Sequence, residues 1–237
     1  MFKAHSFVPG SIVETGTADG ELDDEVGREV TALFAAERRR RGGKLFDGLL
    51  FSVERLEEQQ IVGRFVRYSL FVAQLARPEL FDILRVRPLG VSGLLTCADG
   101  VVFGQRDDLV TQDAGLWELV PAGGIDPSSR DETGRIDVVS QILKEMCEEI
   151  GVGREQADSA LPFGMIENLD NHVIDIAIEI KTVLDGQKIR WLFRHRGNGE
   201  YTELMLVPPA EVPGFVERCG GELTEISRFL LQERGLA

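Results

Sequence analysis

Hydrophobic positions recur about every three to four residues in three stretches of the chain, which is the helical period. In "DDEVGREVTALFAAERRRR" they are Val26, Val30, Leu33 and Phe34. In "DVVSQILKEMCEEIGV" they are Val139, Ile142, Leu143, Met146 and Ile150, and in "ELTEISRFLLQERG" they are Leu223, Ile226, Leu230 and Leu231. The first stretch opens on acids and closes on Arg38 to Arg41, the order a helix dipole favours. That basic run reads as a solvated helix end and not as a site.

Other stretches carry strand patterns. From Lys44, "KLFDGLLFSVERLEEQQIVGRFVRYSLFVAQLA" is rich in Phe, Val, Ile and Leu, with polar breaks at Asp47-Gly48 and Glu57 to Gln60. Two or three antiparallel strands are expected there. "RPELFDILRVRPLG" makes a short connection, and "VSGLLTCADGVVFGQR" places two apolar runs around Ala98-Asp99-Gly100, a hairpin pattern. "GLWELVPAGGID" brings a strand into a turn of small residues, and "VIDIAIEIKTVL" and "TELMLVPPAEV" supply further strands. The pattern predicts an α/β chain with a boundary near Pro88. Residues 1–87 would carry the first helix and antiparallel strands, and residues 88–237 the main domain.

Forty acidic side chains against twenty-six basic ones give a net charge of −14. That balance opposes sequence-independent nucleic-acid binding, and an anionic ligand would need local cations. Cys97, Cys147 and Cys219 lie far apart, as do His5, His172 and His195, so neither a disulfide framework nor a Cys/His zinc site is expected. The first residues lack the long apolar run of a signal peptide, and no stretch approaches the roughly twenty apolar residues of a membrane span. The expectation is a cytoplasmic protein with no membrane or nucleic-acid partner.

Against that background, Glu145, Glu148 and Glu149 crowd together in "KEMCEEIGV". Like charges three and four apart on a helix repel by a few tenths of a kcal/mol per pair, roughly. One reading is a solvated acidic face. The other is a cation site, since magnesium and manganese prefer carboxylate oxygens. Two neighbouring features bear on the choice: the small-residue turn "PAGG" just upstream, and Gly151 where a left-handed helix cap belongs.

Together these residues resemble the Nudix hydrolase box. Lys144, Glu145, Met146, Cys147, Glu148, Glu149, Ile150, Gly151 and Val152 match its right half, and Gly123 matches its left end. "VVFGQR" and "YTELMLVPPAEV" are similar to the family's strands, so the resemblance covers roughly residues 88 to 237. Two departures stand out. Lys144 replaces an arginine and loses its planar fork. The spacing from Gly123 is also lengthened, so that the expected mid-box glutamate falls on Ile136, with Glu132 out of register. The lengthened box and the strand-rich N-terminal portion resemble a branch acting on UDP-sugars.

The resemblance implies a Nudix α/β/α sandwich with a smaller strand-containing N-terminal segment. It also implies magnesium or manganese held by Glu145, Glu148, Glu149 and Glu200, with Glu203 as the competitor to Glu200. Glu145 and Glu149 would be the principal catalytic acids, and the Ala122 carbonyl a further ligand. The activity implied is hydrolysis of a nucleoside diphosphate linked to another group, a nucleotide-sugar such as a UDP-sugar. The alternative is a Nudix-like module that binds such a ligand without cleaving it. Many members are homodimers, and the apolar strands after Lys44 offer such an interface. Of the remaining residues, Arg106 is open to a phosphate contact, Trp117 is expected in the core, and Tyr201 and Phe46 are candidates for a nucleoside pocket for which packing roles are preferred.

Overall fold

The structure, a computed structural model, describes residues 1–5, 12–14, 22–43, 45–57, 60–110 and 112–237. In chain order the elements begin with β1 (Phe2–His5), β2 (Ile12–Glu14), α1 (Asp24–Arg40), β3 (Leu49–Glu57), β4 (Gln60–Arg67), α2 (Tyr68–Ala76) and α3 (Phe81–Leu84). Next come β5 (Leu89–Cys97), β6 (Gly100–Arg106), β7 (Trp117–Leu119), β8 (Ala122–Gly124) and α4 (Val138–Ile150). The chain closes with β9 (Ala157–Asn168), β10 (Ile174–Thr182), α5 (Gly186–Arg196), β11 (Tyr201–Val207), α6 (Val212–Cys219) and α7 (Glu225–Glu233). The mixed α/β architecture expected from the sequence is present. Among the described residues, no helix is long and apolar enough to cross a membrane.

The chain forms two compact units, one of Met1–Gly90, Gly124–Val138 and Gly164–Ile176, the other of Val91–Gly123, Val139–Phe163 and Ala177–Ala237. In the first, β3 and β4 pair antiparallel and β2 joins β4 in parallel. Lys44, Glu58 and Gln59 of this stretch lie outside the described residues. The sequence expectation of strands also covered residues 68–76, which are instead the helix α2. Their apolar run has no period that separates a buried strand from a buried helix, so the ends decide. Asp47 Oδ1 accepts from Ser69 N–H at 2.8 Å and the Gly48 carbonyl accepts from Tyr68 N–H at 2.9 Å, giving the helix start partners that a side-chain cap would otherwise supply. Phe71 and Ala73 then pack with Val30, Leu50, Val66, Leu80, Leu84 and Val86 in one core.

In the second unit the hairpin at residues 91–106 forms as expected, with Cys97 opposite Gly100. Gly100 has φ +135°, and a side chain there would collide with the Val207 carbonyl, so the turn requires glycine. The strands run in the order β9-β10-β5-β6-β11, with β7 against β6 and β8 beside β5. α6 and α7 close over β7: Phe215 lies 4.6 Å from the Phe103 ring and 6.3 Å from that of Trp117, while Ser227 Oγ accepts from Leu119 N–H. Trp117 is therefore core, as expected.

Candidate active site

Every residue of the expected metal site belongs to the second unit. α4 carries three of them, and its own geometry sets their fates. Each helical residue advances about 100°, which puts Glu149 about 20°, Glu145 about 60° and Glu148 about 120° from the buried Ile142. Burial follows that order. Glu149 is 0% exposed, Glu145 is half-buried, and Glu148 is exposed. The sequence reading set all three on one face beside the apolar stripe. In the structure Glu149 joins the stripe itself, while Glu148 faces solvent with Lys144 Nζ 3.9 Å away.

The small-residue turn explains how two carboxylates reach one place. Ala122 N–H donates to Glu149 Oε2 at 3.2 Å. A side chain at Gly123 would collide with the carboxyl carbon of Glu145, and would lie 2.7 Å from its Cγ. Gly123 is thus the surface on which Glu145 rests. Gln141 Nε2 donates to Glu145 Oε1 at 2.6 Å. Gly123→Ala should push the Glu145 carboxylate off this seat and weaken divalent-ion binding by at least about tenfold, which calorimetric titration would read. Unchanged affinity would mean that the seat is irrelevant to the site.

α4 ends at Gly151, whose φ of +71° admits glycine readily and whose N–H donates to the Cys147 carbonyl at 3.1 Å. A side chain there would strike Arg196 Cβ and the Leu192 carbonyl of α5. Asn198 N–H donates to the Glu148 carbonyl at 2.9 Å, so the loop leaving α5 satisfies the end of α4. Two residues later that loop presents Glu200.

Glu200 is held from β6. Its carbonyl accepts from Asp107 N–H at 2.8 Å, and its Oε1 lies 3.4 Å from Arg106 Nη2. Arg106 also forms an ion pair with Glu118, and its Nε donates to the Gln112 carbonyl at 3.1 Å. Tyr201 Oη donates to Glu118 Oε1 at 2.7 Å. This buried cluster occupies the guanidinium that the sequence left open to a phosphate contact. Of the pocket candidates, Tyr201 is buried and Phe46 is 81% exposed. Glu203 is exposed on β11. Sequence reasoning missed Glu118, because an acid between Trp117 and Leu119 in an alternating strand would face outward, whereas all three positions are buried here.

The electrostatics have one direction. Burial pushes the Glu145 carboxyl up to about 7, against the pull of Gln141 and with help from Glu148. Glu149 is raised well above the ordinary carboxylate range by burial first, then by Glu200, Glu118 and Glu145. Glu200 is raised by burial, with Arg106 opposing. Burial also raises Glu118, although Arg106 and Tyr201 pull it back. Arg106→Gln would leave the Glu118 charge buried and unpaired, so a loss of about 3–5 kcal/mol in urea unfolding is expected. A loss below about 1 kcal/mol would show that the pair is solvated.

Glu149 Oε1 and Gln141 Oε1 are buried with no hydrogen-bond partner, an arrangement that costs free energy unless something else satisfies them. These are hard oxygen donors beside carboxylates that resist ionisation, and they fit a divalent cation of the magnesium or manganese kind. Among the described residues, no three His, Cys, Asp or Glu side chains are already drawn together as a complete ligand set.

No protein-family model matches the chain, and no curated protein matches it by sequence. Solved structures are similar to it. A protein from Deinococcus radiodurans is 12% identical, covers 78% of this chain and 98% of its own, and has a TM-score of 0.50, a likeness of fold alone. The MutT protein of Methanosarcina mazei is 18% identical over 62% of this chain and 91% of its own, with a TM-score of 0.43. The Nudix domain of NrtR from Shewanella oneidensis, solved with ADP ribose, is 18% identical over 60% of this chain and 84% of its own, with a TM-score of 0.38. The two lower scores do not establish a shared fold.

Proposed function

We propose that this protein is a Nudix-type pyrophosphatase that hydrolyses the diphosphate bond of a nucleoside diphosphate linked to another group, with a UDP-sugar as the preferred kind of substrate. The observation that carries the reading is Glu149: a wholly buried carboxylate with an orphaned oxygen, in the final turn of the helix whose sequence resembles the family's box. Glu145, Glu149 and Glu200 would hold magnesium or manganese, with Glu148 supporting from the rim. When bound, such an ion neutralises a diphosphate and makes an attacking water more acidic. The chain's own residues supply the rest. Gly123 and Ala122 fix the two helix carboxylates, Arg106 holds Glu200, and a carboxylate of the cluster accepts the proton from water.

A second reading, a module that binds a nucleotide-sugar without cleaving it, draws support from two altered positions. Ile136, where the box expects a glutamate, is buried, and Lys144, where it expects an arginine, lies 3.9 Å from the exposed Glu148. One panel separates the readings: UDP-sugars, ADP-ribose, dinucleotide polyphosphates and nucleoside triphosphates, each with magnesium and with manganese. Metal-dependent cleavage with UDP-sugars ahead of triphosphates is expected. Tight binding of a nucleotide-sugar with no cleavage anywhere in the panel would establish the binding module.

A further inference from the structure

An anionic partner would need local cations, and α5 offers a run of them. α5 and the turn that follows it hold Lys188, Arg190, Arg194 and Arg196 with no acid between Asp185 and Glu200, in a chain of net charge −14. All four are exposed. Ile189 and Leu192 bury one side of the helix; at about 100° per residue Lys188, Arg190 and Arg194 fall on the outward side, while Arg196 falls beside the buried pair, with its Cβ against Gly151. Elsewhere in the chain arginines are commonly paired: Arg40 and Arg41 with Glu37, Arg87 with Glu167, Arg106 with Glu118 and Arg234 with Glu179.

At the centre of this face is Trp191, 45% exposed. It is held in place rather than left to swing. Lys188 Nζ lies 4.4 Å from the indole centroid, and the His195 ring stacks on the indole at 4.4 Å and 22°. The His195 ring is itself fixed, through Nδ1 and the Trp191 carbonyl at 2.7 Å. A large aromatic ring exposed to water costs free energy, and a fixed stack of Trp and His among cations is the arrangement that holds bases and phosphates together.

We propose that the outward face of α5 binds single-stranded nucleic acid, with the Trp191–His195 stack meeting a base and Lys188, Arg190 and Arg194 meeting the flanking phosphates. Net charge does not forbid this, because charges beyond about 8–10 Å are screened at physiological salt while phosphates in contact with the helix are not. The face fits a strand better than a membrane surface, which would require several apolar side chains outward, and α5 offers Trp191 alone among its exposed residues. An acidic protein segment would need the cations but not the aromatic stack.

The chain's two tryptophans make the test direct, since Trp117 is buried and Trp191 is not. An oligothymidylate of about ten nucleotides with hydroxyl ends offers no pyrophosphate to the carboxylate cluster. Titrated into the full chain, it should quench the exposed tryptophan, with log affinity falling against log salt with a slope of about −2 to −3. The R190E/R194E double variant should bind at least about tenfold more weakly, and Trp191→Phe should lose the quench while circular dichroism stays unchanged. Absence of quenching at low salt overturns the proposal. Equal affinity in R190E/R194E overturns it too, as does binding of a poly-glutamate peptide but not of the oligonucleotide, which would assign the face to an acidic protein.

Discussion

Glu149→Gln should reduce turnover by about 10²–10⁴-fold, yet leave the metal-free protein as stable as the wild type or more so. The two halves of this expectation have one cause. Glu149 is fully buried, its Oε1 has no partner, and Glu200, Glu118 and Glu145 disfavour its charge. A neutral amide of the same shape removes the repulsion, keeps an oxygen for Ala122 N–H, and cannot replace a charged ligand. Glu145→Gln should behave similarly. A residue kept for the fold would show the reverse, with stability falling and activity following it. Activity assays with a UDP-sugar and thermal melts in a chelator, run on the same samples, separate these outcomes.

The second large effect concerns pH. Folding holds Glu145 at about 7 and Glu149 and Glu200 above the ordinary value of 4.5. Because these values are raised, the folded protein holds protons that the unfolded chain releases. Their contribution to stability is present in full below about pH 4.5 and is lost as pH rises through the folded values. For Glu145 alone this is on the order of 3 kcal/mol. Metal-free protein should therefore melt at a lower temperature at about pH 8 than at about pH 5. Magnesium or manganese at about pH 8 should restore the difference, since a ligand of the folded state shifts the equilibrium toward it. A metal-free melting temperature that rises over this range would show that the cluster is solvated.

The parts of the fold that the sequence revealed are those where one side is wet. α1, α4 and α7 alternate buried and exposed turns, and β5 and β6 meet at a turn whose Asp-Gly pair has a conformational cause. α2 is apolar on nearly all sides, which erases the period that would separate it from a strand. In α5 the helical spacing of Ile189, Leu192 and Phe193 is masked in the sequence by the basic residues between them, which resemble a loop. At the site, Glu145, Glu149 and Gly123 were legible from the motif, whereas the seat that Gly123 offers Glu145 needed the structure. The unequal burial of Glu148 and Glu149 follows from the helix angle and was available in the sequence. Glu118 was not, because its place depends on the pairing of β6 with β7 and on an arginine twelve residues away.

We propose above that the carboxylates of α4 hold a divalent cation. Titrating manganese into the wild type, Glu145→Gln and Glu149→Gln, with free ion followed by its paramagnetic resonance signal, addresses it without reference to any substrate. Saturable binding to the wild type and at least about tenfold weaker binding to each variant is the predicted result. Equal affinities in all three proteins would show that Glu145 and Glu149 hold no cation.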